Sequence, residues 1–234
     1  MATAPTDFAV IGLGRFGGAI ARELAREGRN VLGIDNEPGK IQQLQRHIML
    51  ALQADATDEQ VLEQLGLQDM DAVVVSIGTN LEASILVTTA LVDLEVKRIV
   101  AKATSEEHAK VLRKIGRGVD EFHIVFPERD SGIAWAKKLL RPDNLIDESE
   151  LQDGKYKEIN IRCTGALTGK SLRDLDLRRR FRLNVVGVGS TNEDGSGEKM
   201  NFVVDPTMVF HEGDLLRIIG ATEDIDSFVR HFVK

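Results

Sequence analysis

Over the first 125 or so residues, short apolar runs alternate with stretches of helical spacing. Phe8-Ala9-Val10-Ile11-Gly12 is too short for a helix and reads as a buried strand. From Arg15 to Glu27 the apolar positions Phe16, Ile20 and Leu24 share one helical face, and Gly28 is a natural stop. Val31–Asp35 predicts a second strand, and Pro38 suits the first turn of the helix after it. Met49–Gln53, Ala72–Ile77, Arg98–Ala101 and Phe122–Val125 predict further strands. Between them, Thr57-x-x-Gln60, Thr79-x-x-Glu82 and Thr104-x-x-Glu107 have the form of capping boxes, each opening a helix. Strands that are apolar on both faces and alternate with helices imply an α/β fold, a doubly wound parallel sheet with helices on both sides.

Pro127–Leu140 predicts one more helix, carrying Ile133, Trp135, Leu139 and Leu140. The acidic stretch 147–150 and Gln152-Asp153-Gly154 suggest a linker. Beyond Lys155 the pattern changes. Lys157–Cys163 alternates strictly, as a half-buried strand does. Ser171-x-x-Asp174 caps a short helix, and Leu183–Val188 and Asn201–Val204 flank a hairpin loop at 192–197. Leu215–Ile219 predicts a strand and Asp224–Val233 a final helix. The expected second domain is smaller and α+β.

Composition narrows the function classes. The net charge is −7, which argues against a general nucleic-acid binder. The single cysteine, Cys163, excludes a disulfide framework, fits a reducing compartment, and falls in phase with Ile159 and Ile161 as a core residue. No signal peptide is visible and no run approaches the ~20 apolar residues of a membrane span, so any membrane role is expected to come through a partner. The five histidines have no zinc-like spacing with one another or with Cys163, and each is expected at the surface or rim. No catalytic serine or lysine motif is present, so an enzyme is not expected.

Chemistry concentrates in Gly12-Leu13-Gly14-Arg15-Phe16-Gly17, a GxGxxG between a strand and a helix. The first glycine permits the tight turn, the second lets phosphates approach the backbone, and the third lets helix and strand pack closely. Asp35 closes the second strand 18 residues after Gly17, where a carboxylate accepts ribose hydroxyls and repels a 2′-phosphate. An adenine nucleotide without that phosphate is the expected ligand. Arg15 can reach a terminal phosphate beyond a diphosphate. The glycine loop and Asp35 alone also fit an NAD-dependent oxidoreductase, which would need a proton donor facing the nicotinamide.

These residues resemble a known family. Phe8–Gly18, Ala54-Asp55-Ala56-Thr57, Ser76-Ile77-Gly78, the segment from His108 to Gly116, Phe126-Pro127-Glu128-Arg129-Asp130-Ser131-Gly132, the segment from Leu167 to Leu175 and Glu212-Gly213-Asp214 are similar to the cytosolic RCK regulatory subunits of Ktr- and Trk-type bacterial potassium uptake systems. The single RCK unit looks more like Ktr than Trk. The resemblance implies a Rossmann-like nucleotide-binding domain with a crossover helix at 1–145 and a regulatory domain at 155–234. It implies a cytoplasmic binding module at the inner face of the membrane, whose dimers form an octameric ring on a potassium channel or transporter. ATP and ADP would compete for the first domain, with NAD(H) in that role in some Trk members. Arg15 would sense the terminal phosphate; Asp35 and Asn36 would hold the ribose; Asp55, Ala56 and Thr57 would frame the adenine; Ile77, Gly78 and Lys102 would line the phosphates. Glu128 would help bind a divalent or sodium cation at the dimer interface, and the crossover helix would form an apolar seam between protomers. Cyclic di-AMP would bind at Leu172, Arg173, Arg178, Asn184 and Pro206, although Arg173 stands where the family carries an apolar residue. A stand-alone nucleotide sensor acting on another transporter is a further reading.

Overall fold

A computed structural model describes residues 6–191 and 198–233. The chain divides into two units, Met1–Ala134 and Trp135–Lys234. In the first, β1 (Asp7–Ile11), β2 (Asn30–Asp35), β3 (Leu50–Gln53), β4 (Ala72–Val75), β5 (Arg98–Lys102) and β6 (Glu121–Val125) alternate with α1 (Arg15–Arg26), α2 (Pro38–Leu44), α3 (Glu59–Gln64), α4 (Leu81–Asp93) and α5 (Glu106–Ile115). All pairings are parallel, in the order β3-β2-β1-β4-β5-β6. The sheet is the expected Rossmann-like one. Its order reverses between β1 and β4, and a crevice opens there at the carboxyl ends of the strands.

The alternating strand geometry explains why β1 from Phe8 on, and all of β4, are apolar. Ala9, Ile11, Val73 and Val75 pack with Leu62 and Leu91 on one face, while Val10 and Val74 pack with Ala21 and Leu44 on the other. Each strand therefore contributes to two separate cores.

Three predicted capping boxes shift by one residue. The side chains that accept first-turn N–H groups are Asp58 for α3, Asn80 for α4 and Ser105 for α5, not Thr57, Thr79 and Thr104. In each case a second good cap follows the threonine, and Asp, Asn and Ser are as good as or better than Thr at this position. Helix α6 (Pro127–Leu139) forms where expected and buries none of its residues within the chain. Ile133, Trp135, Leu139 and Leu140 stand between 51% and 84% exposed.

The second unit holds β7 (Leu145–Leu151), β8 (Tyr156–Arg162), α7 (Leu172–Leu175), α8 (Leu177–Phe181), β9 (Asn184–Thr191), β10 (Glu198–Asn201), β11 (Leu215–Ala221) and α9 (Thr222–Phe232). Its antiparallel sheet has the order β10-β9-β11-β8-β7. The expected linker is corrected here. Residues 145–151 form an edge strand paired with β8, and 152–154 form the turn between them. Acidic side chains on an edge strand face water, so the composition of this strand imitates that of a linker. The second sheet thus begins at Leu145, ahead of the expected boundary at 155. The predicted strand at 201–204 is also displaced, pairing instead at Glu198–Asn201; the loop expected at 192–197 lies outside the described residues. Ile159, Ile161, Cys163, Phe210, Leu216, Ile218 and Phe228 form the core. The predicted capping box at Ser171 and Asp174 is present in full.

Candidate functional site

A cavity of about 790 Å³ occupies the crevice of the first unit. Its walls are the glycine loop, the end of β2, the turn after β3, the end of β4, Lys102 on β5 and Glu128 on α6. Every residue predicted to touch the nucleotide lines it except Gly17, which lies behind the loop.

The three loop glycines serve different ends. Gly12 has φ +88°, and a Cβ there would stand 2.9 Å from the carbonyl carbon of Ser76. A Cβ on Gly17 would collide with the carbonyl oxygen of Gly12. Both are demanded by the fold. Gly14 is different: its φ is an ordinary −65°, and a Cβ would meet nothing within 4 Å. Gly14 is also the N-cap of α1, and no side chain caps the helix there. The first N–H groups of α1 are thus offered at the cavity, the arrangement that receives an anion.

Asp35 is 6% exposed at the other end of the cavity. Its Oδ2 accepts the Leu13 N–H at 2.7 Å and its Oδ1 accepts the Glu37 N–H at 2.9 Å. Lys40 Nζ lies 3.4 Å from Oδ2 and 2.7 Å from a carboxylate oxygen of Glu37. A carboxylate has about four acceptor sites, so two backbone donors leave room for sugar hydroxyls. Asp55 Oδ1 accepts from the Thr57 hydroxyl at 2.7 Å and from its N–H at 3.0 Å, which holds the Asp55 carboxyl below the usual carboxylate range. This tight local turn fixes the segment expected to frame the base, with Ala56 buried beside it.

Lys102 Nζ and Glu128 Oε1 are paired at 2.6 Å. Hydrogen bonding from Lys102, with Arg15 as a further positive neighbour, keeps the Glu128 carboxyl below its ordinary range. The predicted cation residue and a predicted phosphate residue are therefore brought together as an ion pair. Among the described residues, no group of three or more His, Cys, Asp or Glu could hold a metal.

Sequence reasoning missed Lys40, Arg22, Ser76 and Asn80, which also line the cavity. Lys40 follows Glu37 by three residues on α2, a spacing that places the two side chains together. Arg22 lies two turns along α1, and nothing in the motif marks it. One histidine is corrected: His108 is 2% exposed rather than at the rim. It falls on the inner face of α5 with Ala109 and Leu112. Cys163 is buried as expected, and burial with Asp214 and Glu212 nearby pushes its thiol up to about 12.

In the second unit, Arg178 donates to Asn184 Oδ1 from Nε and Nη2 at 3.1 and 2.8 Å. The Arg173 N–H donates to the Pro206 carbonyl at 3.0 Å, next to the half-buried Leu172. The residues expected to hold a second ligand thus form two local pairs.

Fold and cavity together define a Rossmann-like α/β domain with a crevice at its switch point, followed by a small antiparallel α+β domain. Residues 8–124 match the TrkA-N domain and residues 158–233 the TrkA-C domain. The chain is 39% identical to Ktr system potassium uptake protein C of Bacillus subtilis over 95% of both chains. It is 32% identical to Ktr system potassium uptake protein A of Vibrio alginolyticus, over 96% of this chain and 97% of that one. The chain therefore belongs to the family of Ktr and Trk potassium uptake proteins. In fold it is similar to the GsuK RCK domain, with a TM-score of 0.61 at 15% identity, covering all of this chain and 50% of that one. Among the described residues, no helix is long and apolar enough to cross a membrane.

Proposed function

We propose that this chain is the nucleotide-binding regulatory subunit of a bacterial potassium uptake system, a binding module rather than an enzyme. ATP and ADP compete for the cavity, and only ATP offers a terminal phosphate to Arg15. The two ligands then stabilise different shapes of a ring of dimers, an octamer, and the ring acts on a membrane channel at the inner face of the cell membrane. A ligand shifts such an equilibrium only by its differential affinity for the two states. The observation that carries the reading is Gly14. The fold itself leaves space for a side chain there, so the opening is kept for something that approaches the helix N-terminus.

The residues present suit an adenine nucleotide. Asp35 and Asn36 receive the ribose, the Asp55–Thr57 turn frames the base, and the Gly14 N-terminus, Arg15 and Lys102 receive phosphates. Asp35 serves NAD(H) equally well, so an NAD(H)-responsive regulator is the second reading. Glu128 would contribute a carboxylate to a cation shared with a second protomer. Cyclic di-AMP would take the Arg173 and Arg178 pairs in the second unit.

Calorimetric titration with ATP, ADP, NADH and cyclic di-AMP, with solution mass measured in parallel, tests this. ATP and ADP binding to an octamer is expected. NADH binding alone moves the assignment to the second reading, and hydride transfer to a small substrate overturns the non-enzymatic one.

A further inference from the structure

We infer that the groove between α5 and the edge strand β6 docks an extended acidic segment of a partner protein, which adds to β6 as a further strand and sets alternate carboxylates on Arg113, Arg117 and Arg129. A cavity of about 460 Å³ opens there. It shares no lining residue with the cavity at the glycine loop. Its floor is Phe122, Ile124 and Phe126, alternate residues along β6 and at its end, which share one face of the sheet. Gly116 in the wall makes room for this floor, since a Cβ there would collide with the Phe122 ring.

The chain as a whole carries a charge of −7, yet three exposed arginines line this groove. The acidic side chains beside them are already engaged. Arg129 Nη1 donates to Glu106 at 2.5 Å, and Arg113 Nη2 donates to the other oxygen of the same carboxylate at 3.4 Å. Arg129 Nε donates to Asp130 at 3.1 Å, and Glu121 is held by Arg98 at 2.6 and 2.7 Å. The Arg129 guanidinium lies 3.6 Å from the centre of the Phe126 ring, a stacking that fixes its plane. Arg117 has no partner among the described residues. A guanidinium carries five donors, so all three arginines keep some to offer. The helix dipole accounts for Arg113 in the last turn of α5. It does not account for Arg117 beyond the end of α5 or for Arg129 on α6.

The strand edge and the arginine spacing select an extended segment. Strand β6 ends its sheet and pairs with β5 alone among the described residues, so its outer edge has backbone N–H and C=O groups open to a further strand. Helix α5 connects two parallel strands and therefore runs antiparallel to β6. Arg113 and Arg117 are four residues apart, about 6 Å along the axis of α5 at helical rise. Side chains on one face of a strand repeat about every 6.6 Å. Carboxylates at alternate positions of an added strand match that interval. Contiguous carboxylates point to opposite faces and do not.

The test is fluorescence anisotropy of the full chain with a labelled hexapeptide of alternating glutamate and valine. A second peptide has the same composition with its three glutamates contiguous. The alternating peptide is expected to bind, and the contiguous one to bind roughly fivefold more weakly. Arg117→Ala is expected to weaken the alternating peptide about two- to fivefold, the upper range of one exposed ion pair, and Arg113→Ala with Arg117→Ala about four- to twenty-five-fold. Methylating alternate backbone nitrogens of the peptide separates strand pairing from charge attraction. Methyl groups on the N–H groups that face β6 should abolish binding, and methyl groups on the other set should leave it. Equal binding of the two peptides, or equal loss from both methylated sets, overturns strand addition. Unchanged affinity in the double variant, with a normal unfolding midpoint, overturns the arginine site. Failure of the alternating peptide to bind wild type overturns the proposal altogether, and a solution mass lowered by Arg117→Glu would then show that a second copy covers the groove.

Discussion

Asp35 accepts the backbone N–H of Leu13 at 2.7 Å, tying the end of β2 to the glycine loop after β1. The same carboxylate accepts the Glu37 N–H, so one buried side chain holds both loops that border the cavity. Asp35 is therefore a positioning residue even without a ligand. In Asp35→Asn one oxygen remains for two donors, and an amide group faces one of them. An unsatisfied buried donor costs about 1–3 kcal/mol. At about 2–4 °C per kcal/mol for a chain of this size, thermal unfolding should shift down by roughly 2–12 °C without ligand. An unchanged midpoint would show that the sugar alone explains Asp35.

The glycines separate fold from binding. Gly14→Ala should fold with a near-normal unfolding midpoint, because its Cβ meets nothing within 4 Å and its φ is ordinary. It should nevertheless lose nucleotide affinity, since the methyl group fills the approach to the α1 N-terminus. Gly17→Ala should instead destabilise the protein outright, because the methyl collides with the Gly12 carbonyl. Paired melting and binding curves check both. Normal affinity in Gly14→Ala would contradict the phosphate position proposed for the loop.

Arg15 lines the cavity from the first position of α1, exposed and close enough to Glu128 for its charge to be felt there. Arg15→Ala should keep ADP binding and lose the preference for ATP. Charge-assisted hydrogen bonds of about 1.5–3 kcal/mol correspond to roughly a ten- to hundredfold loss for ATP. Competition titration of the two nucleotides measures the ratio directly, and an unchanged ratio would remove Arg15 from the discrimination.

Much of this was legible in the residues, for identifiable reasons. The parallel sheet could be read because β1 and β4 serve two cores and so are apolar from Phe8 to Ile11 and from Ala72 to Val75. The loop could be read because steric demands at Gly12 and Gly17 leave no other residue type. The strand at Leu145–Leu151 escaped because an edge strand needs only one partner and little apolar surface. The helix starts were displaced because Thr57-Asp58, Thr79-Asn80 and Thr104-Ser105 each offer two adjacent caps, and spacing alone does not choose between them. Lys40 was missed because its role depends on α2 bringing it back over Asp35, a tertiary placement.

The crossover helix predicts an assembly effect. Trp135, Leu139 and Leu140 are all more than half exposed, and α6 buries nothing within the chain. An apolar face of this kind is expected to be covered by a second copy. Trp135→Glu with Leu139→Glu should leave the unfolding transition of each unit intact and reduce the solution mass to that of a monomer. Light scattering reads the mass, and an unchanged oligomer would place the seam elsewhere.

His108 predicts a pH dependence of stability. It is buried on α5, where its Nδ1 accepts the Thr104 N–H at 3.4 Å. The neutral ring then carries its hydrogen on Nε2, which has no partner among the described residues. Burial lowers the His108 pKa from its ordinary 6.5, because the charged ring would be desolvated. Below 6.5 the unfolded chain takes up a proton that the folded chain refuses, so the folded state loses stability as the pH falls. The contribution is fully present above 6.5 and declines from there toward the lowered folded value. His108→Gln, which keeps a polar side chain without titrating, should flatten the fall in unfolding free energy between pH 7 and pH 5. Urea melts of the two proteins across that range measure it; parallel curves would show that other groups set the acid sensitivity.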